Sequence, residues 1–195
     1  MVKIINSLWS GILIAISSAV YLNCSNKLIG AILFSFGLIT ILEFDCYLFT
    51  GIIGFARDKR QFLTSLFVLA GNLIGCFTVL LLPTQGATEL VTTKLSAPWH
   101  HALGKAIVCG IIIYSTVRLY KSSVNKWHIL IAVPAFIICG AEHSIADACY
   151  IIASHQFTSQ SLVFLLIVII GNAIGSLTMS FSIEYRNKLK TKETN

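Results

Sequence analysis

The chain has 195 residues, of which 56% are hydrophobic and only 11% charged, and its formal net charge is +6. That balance excludes an ordinary soluble domain, which would expose too much apolar surface, and suits a polytopic membrane protein. The positive charge does not point to nucleic acid, because no basic groove with interleaved aromatics occurs outside the tails.

In chain order, apolar tracts occupy residues 8–22, 28–56, 62–82, 106–117, 129–153 and 161–183. A bilayer core asks for about 20 apolar residues per helix. The fourth tract is short, but residues 98–103 and 119–120 extend it, so six crossings are expected. The first tract follows Lys3 like a signal peptide. Residues 21–27 offer no convincing small-residue cleavage site, however, and a second apolar tract follows at once, so it reads as a span.

The basic residues set the orientation. Lys3, Arg57, Lys59, Arg60, Arg118, Lys121, Lys126, Arg186, Lys188, Lys190 and Lys192 fall on one side of a six-span chain, and only Lys27, Lys94 and Lys105 on the other. Basic loops stay cytoplasmic, so both termini are expected there, with the protein in the cell's inner (plasma) membrane. The excess charge then reports topology and contact with anionic lipid. Of the six cysteines, Cys46, Cys76, Cys109, Cys139 and Cys149 lie in or near spans without metal-ligand spacing and read as small packing residues. Cys24 sits in an outer loop.

The chain resembles itself at an offset near one hundred. Gly71-Asn72-Leu73-Ile74-Gly75 matches Gly171-Asn172-Ala173-Ile174-Gly175, with Glu43 and Glu142 at similar distances upstream. Two three-span units must lie in opposite orientations, the inverted-repeat plan of many channels and transporters. The units are expected at about 7–83 and 98–184 within a single domain over 1–195. The glycines form small-xxx-small faces for close helix packing. The asparagines need partners at membrane depth, either backbone freed by a broken helix or a permeating solute.

The second and fifth tracts carry too many polar groups for simple crossings. The second holds Gly37, Glu43, Asp45, Gly51 and Gly54; the fifth holds Pro134, Gly140, Glu142, His143 and Asp147. Charges at that depth face a cavity or a partner. Interrupted spans in equivalent positions of two halves are the sequence mark of a transport site.

Several motifs in these tracts resemble the formate/nitrite transporter family. Leu48-Phe49-Thr50-Gly51 resembles its LFTG loop, and Gly140-Ala141-Glu142-His143-Ser144-Ile145-Ala146-Asp147 resembles the segment in its broken fifth helix. Lys94, with Pro98 and Cys109 beyond it, resembles the stretch entering the fourth helix, and the two GN-x-IG segments fit helices three and six. The resemblance implies an all-α, aquaporin-like fold with broken helices two and five. It also implies a homopentamer in which each protomer carries a pore for small monovalent anions or their conjugate acids. On the same basis His143 is the pore histidine, Thr50 the loop threonine, Asn172 the helix-six asparagine and Lys94 the vestibule lysine. One constriction would join Leu38 with Phe136, and the other Phe34 with Phe49. Asp147 stands where the family most often has Asn, and Asp45 and Tyr47 replace a glycine and a carboxylate.

Solvation constrains the chemistry. An ion loses far more than a neutral molecule on entering an apolar slit. Lys94 suits gathering the anion at the mouth, and His143, an imidazole with an unperturbed pKa of about 6.5, suits handling a proton. Glu142 is placed to orient the ring or cap a half-helix, while Glu43, Asp45 and Asp147 stand as relay or capping groups. The expected substrates are formate, nitrite or hydrosulfide. The alternative is a channel for a neutral solute such as water, glycerol, ammonia or urea, although the three prolines Pro83, Pro98 and Pro134 leave no paired Asn-Pro-Ala motif. No HExxH, CxxC or nucleophile-elbow pattern supports an enzyme, and no cofactor or metal is expected. A non-conducting scaffold would leave the interrupted tracts without a purpose.

Overall fold

The computed structural model describes residues 2–123 and 126–193. Met1, Val124, Asn125, Thr194 and Asn195, all within the expected 1–195 domain, lie outside the described residues. The elements are helical: α1 (Val2–Asn23), α2 (Lys27–Glu43), α3 (Phe49–Ile52, continued by a 3-10 turn Ile53–Phe55) and α4 (Lys59–Cys76, continued by Phe77–Leu81). There follow α5 (Ala87–Ser96), α6 (Trp99–Ser122), α7 (His128–Ile138), α8 (Ser144–Ser154) and α9 (Ser159–Glu193). Polar side chains start the helices. Asn26 accepts from the Leu28 and Ile29 amides at the head of α2, and Asp58 accepts from the Gln61 amide at the head of α4.

Among the described residues, four helices are long and apolar enough to cross a membrane: α1, α6, α9, and α4 with its continuation to Leu81. The second and fifth apolar tracts are instead divided, into α2 and α3 and into α7 and α8. Both interruptions have one cause. Asp45 and Gly140 adopt left-handed backbone with φ of 51° and 71°. In each case the next amide reaches back five residues, Cys46 to the Ile41 carbonyl at 2.8 Å and Ala141 to the Phe136 carbonyl at 3.0 Å. This is the Schellman helix stop, which satisfies carbonyls that a helix end would strand. Pro134 lies inside α7, so the stop in the fifth tract falls at Gly140 and not at the proline.

Helix pairs close on glycine. A Cβ on Gly75 would stand 2.4 Å from the Leu8 carbonyl oxygen, and one on Gly175 would stand 2.0 Å from that of Ile107. Gly11 and Gly110 answer from the facing helices, their added Cβ atoms 2.1 Å from the Asn72 oxygen and 2.3 Å from the Asn172 oxygen. Thus α1 lies tight on α4 and α6 tight on α9, with α3 and α8 packed between. Arg57 donates to the Gly54 and Ala56 carbonyls at 2.9 Å and pairs with Glu184, tying the loop after α3 to α9.

The bundle buries a set of polar groups within its apolar core and exposes large apolar side chains. Ser7, Ser10, Ser17, Ser18, Ser35, Thr50, Asn72, Glu142, His143, Asp147 and Asn172 are buried, whereas Phe44, Phe67, Leu81, Ile131 and Ile138 stand on the surface. Such an apolar exterior suits lipid and neighbouring subunits. Asp45 occupies a backbone region that glycine enters without steric cost, so Asp45→Gly is expected to stabilise the protein by up to about 1 kcal/mol. In detergent the thermal midpoint should then rise by roughly 2–4 °C.

Candidate functional site

The site is assembled by two asparagines on the long helices. The Asn72 Oδ1 accepts from the Phe49 amide at 2.8 Å, and its Nδ2 donates to the carbonyls of Ser7 at 2.7 Å and Tyr47 at 2.9 Å. Asn172 does the same in the other half. Its Oδ1 accepts from the Ser144 amide at 2.9 Å, and its Nδ2 donates to the carbonyls of Ala106 at 2.9 Å and Glu142 at 2.8 Å. Each amide therefore bonds a carbonyl within one interruption and the first amide of the short helix after it, and fastens both to the neighbouring long helix. Asn172, expected in the pore, is fully buried and has its amide committed to backbone.

With their heads held, α3 and α8 bring Thr50 and His143 together, Oγ1 to Nε2 at 2.9 Å, both side chains buried. His143 is also the N-cap of α8, its Nδ1 accepting from the Ala146 amide at 3.2 Å. A backbone amide can only donate, so Nδ1 holds a lone pair, and the neutral ring keeps its proton on Nε2, facing Thr50. Glu142 neither caps α8 nor orients the ring. The backbone is extended at His143, so consecutive side chains point opposite ways, and the Glu142 carboxylate meets Lys94 instead.

Apolar groups of the expected constrictions lie near the Thr50–His143 pair, and Phe34 meets Phe136 there. Phe34 and Phe136 meet edge-on with ring centroids 6.3 Å apart, and Phe136 lies 5.9 Å from the His143 ring. Leu38 lies four residues along α2, on the same face and about 6 Å further down the axis. There it lines a cavity of about 420 Å³ with Leu48, Gly51, Asp45 and Lys121. Phe34 thus meets Phe136, while Leu38, one turn further along α2, lines the same cavity as Leu48. Phe49 is buried at the head of α3.

On the other side of the histidine, Lys94 of α5 pairs with Glu142, lies 3.0 Å from Asp147 Oδ1 and stands 5.8 Å from the centre of the Tyr150 ring. Lys105 of α6 approaches Glu142 at 4.0 Å. Asp147 and Tyr150 were not assigned to Lys94 from sequence, although their spacing of three residues places them on one face of α8. Glu43 lies away from the site, exposed and 3.2 Å from Lys126.

A buried polar line between apolar walls, held inside a bundle with an apolar exterior, defines a membrane protein of the transporter and channel class. Residues 1–186 match the family model for formate/nitrite transporters, and the chain belongs to that family. Among solved structures it is similar to a pentameric formate channel with formate bound, with a TM-score of 0.80, 19% identity and 96% of each chain covered. It is also similar to an ion channel described as of the FNT family, with a TM-score of 0.75 and 19% identity, covering 94% of this chain and 88% of the other. At that identity the likeness establishes the fold. A sequence comparison with curated proteins gives no match.

Replacing Asn72 or Asn172 by Leu strips partners from three buried backbone groups, each costing about 1–3 kcal/mol. Each variant is expected to lower the midpoint of thermal unfolding in detergent by on the order of 10 °C. Equal losses for the two substitutions would mark equivalent roles.

Proposed function

We propose that this chain is a membrane channel or transporter for small monovalent anions or their conjugate weak acids, of the formate, nitrite and hydrosulfide class. The chain forms one domain over 1–195, built as two inverted three-helix units at about 7–83 and 98–184. It has six crossings, of which the second and fifth are broken. Five copies assemble as a homopentamer in the plasma membrane with their termini in the cytoplasm. The recurrence of one Schellman stop and one asparagine bonding pattern in both halves supports the repeat. That the formate channel it resembles is pentameric supports the assembly.

The observation that carries the reading is the buried Thr50–His143 pair, with Phe136 beside the ring and Phe34 meeting Phe136. Bare anions are not stable between such walls. The species that passes is a neutral acid, formed where Lys94 collects the anion and His143 handles the proton. Thr50 fixes the ring by accepting from Nε2. Asn172 contributes by holding the head of α8, and Glu142 by pairing with Lys94.

Stopped-flow uptake of formate, nitrite and hydrosulfide into proteoliposomes tests this. The His143→Ala protein is expected to keep its oligomeric state and to lose acid-linked flux by on the order of a hundredfold, the low end for a positioned proton donor. Unchanged pH-dependent flux for every substrate would refute the role of His143. Swelling with urea or glycerol, independent of a proton gradient, would favour the neutral-solute channel instead.

A further inference from the structure

The cleft between α1 and α4 opens toward one edge of the bundle. The two helices touch closely at Ser7 and Gly71, where an added glycine Cβ would fall 2.2 Å from the Ser7 Oγ. About one turn earlier on each, at Lys3 and Val68, they part around a cavity of about 520 Å³. Its exposed rim carries Lys3, Asp58, Arg60 and Gln61, and half-buried Ile52 and Phe55 line it deeper in.

The rim has positive charge to spare. Asp58 is the one acid lining the cavity, and its carboxylate caps α4 through the Gln61 amide at 2.8 Å. Lys3 and Arg60 enter none of the ion pairs among the described residues, whose cations are Arg57, Lys94, Lys105 and Lys126. Two cations thus face one carboxylate, and the rim attracts an anion. Leu63 and Phe67, three and seven residues beyond Arg60, carry an exposed apolar stripe about 10 Å along α4. A charged rim at the edge with an apolar stripe leading away from it matches an amphiphile better than free phosphate. On the orientation proposed above this edge faces the cytoplasm, where the leaflet is anionic and basic pockets between membrane helices hold lipid headgroups.

The pore lies directly behind this cavity. Tyr47 and Ile52 line it and also line the cavity of about 420 Å³ that holds Leu38 and Leu48. They flank Thr50 in sequence, and Asn72 donates to the Tyr47 carbonyl at 2.9 Å. An occupant of the α1–α4 cavity therefore bears on the short segment that carries Thr50.

We propose that the cavity between α1 and α4 binds the headgroup of an anionic phospholipid, whose phosphate meets Lys3 and Arg60 and whose presence braces α3 behind Thr50. The acyl chains lie along Leu63 and Phe67. A zwitterionic lipid brings no net charge to the two cations and binds more weakly. This inference goes beyond the transport reading, and its test requires no flux.

Native mass spectrometry of the detergent-purified protein, titrated with phosphatidylglycerol, tests it. Adducts should saturate at one per chain and survive collision energies that strip phosphatidylcholine. A cation beside an anionic lipid surface contributes about fivefold in affinity, so Lys3→Gln and Arg60→Gln should each weaken binding about fivefold and the double variant about twenty-fivefold. Lys59 neighbours Arg60 but does not line the cavity, so Lys59→Gln should leave the affinity unchanged. Amide hydrogen exchange over residues 47–56 should slow when phosphatidylglycerol binds, in wild type and not in the double variant.

Equal binding of phosphatidylcholine, an equal loss in Lys59→Gln, or full affinity in the double variant overturns the site. Displacement of the lipid by glycerol phosphate at matching concentration marks a free-phosphate site and overturns the lipid as occupant. Bound lipid with unchanged exchange over 47–56 overturns the bracing of α3. A protein that binds the lipid but passes no formate, nitrite or hydrosulfide removes the transport reading alone.

Discussion

Everything at the centre of this molecule depends on how backbone groups are satisfied where helices stop inside an apolar medium. Ending a helix there strands amides and carbonyls that water cannot reach, at several kcal/mol each. The chain meets this demand with two side-chain amides. Asn72 and Asn172 each accept from the first amide of a short helix and donate to a carbonyl at the interruption and to another on a neighbouring long helix. The left-handed stops at Asp45 and Gly140 supply the rest of the satisfaction. Without both devices, Thr50 and His143 would have no fixed backbone from which to meet.

The glycines follow from the same requirement. An asparagine side chain is short, so the helix that carries it must lie almost against the carbonyl it serves. Gly71 and Gly171 allow this beside Ser7 and Ala106, where an added Cβ would fall 2.2 Å from the Ser7 Oγ and 2.5 Å from the Ala106 Cβ. Those two residues provide the carbonyls that Asn72 and Asn172 reach. Helix packing and the support of the site are thus one arrangement.

The polar line divides the labour between its ends. The imidazole is held neutral in form by an amide that donates to one nitrogen and a hydroxyl that meets the other. Among the described residues, the titratable groups near it cluster on the Lys94 side, where Glu142 and Asp147 share the ammonium. The ion-pairing groups are thereby kept together around Lys94, and the Thr50–His143 pair is left to apolar neighbours and hydrogen bonds, as the cost of burying ions requires.

Composition and the lengths of the apolar tracts by themselves determined a membrane protein of apolar spans, the paired GN-x-IG segments pointed to a repeat, and the resemblance carried by the motifs in the interrupted tracts pointed to this family and brought His143, Thr50 and Lys94 to attention. Those features are local: hydrophobic length, small-residue spacing and short motifs can be read along one strand of text. Only the tertiary structure decided that Asn172 binds backbone, that Glu142 turns to Lys94 and away from the imidazole, and that Phe34 faces Phe136. It likewise decided that Asp147 shares a cation. These outcomes depend on which way a side chain leaves an interrupted backbone and on which helix, a hundred residues away in sequence, supplies its partner. No periodicity within a single segment encodes that pairing.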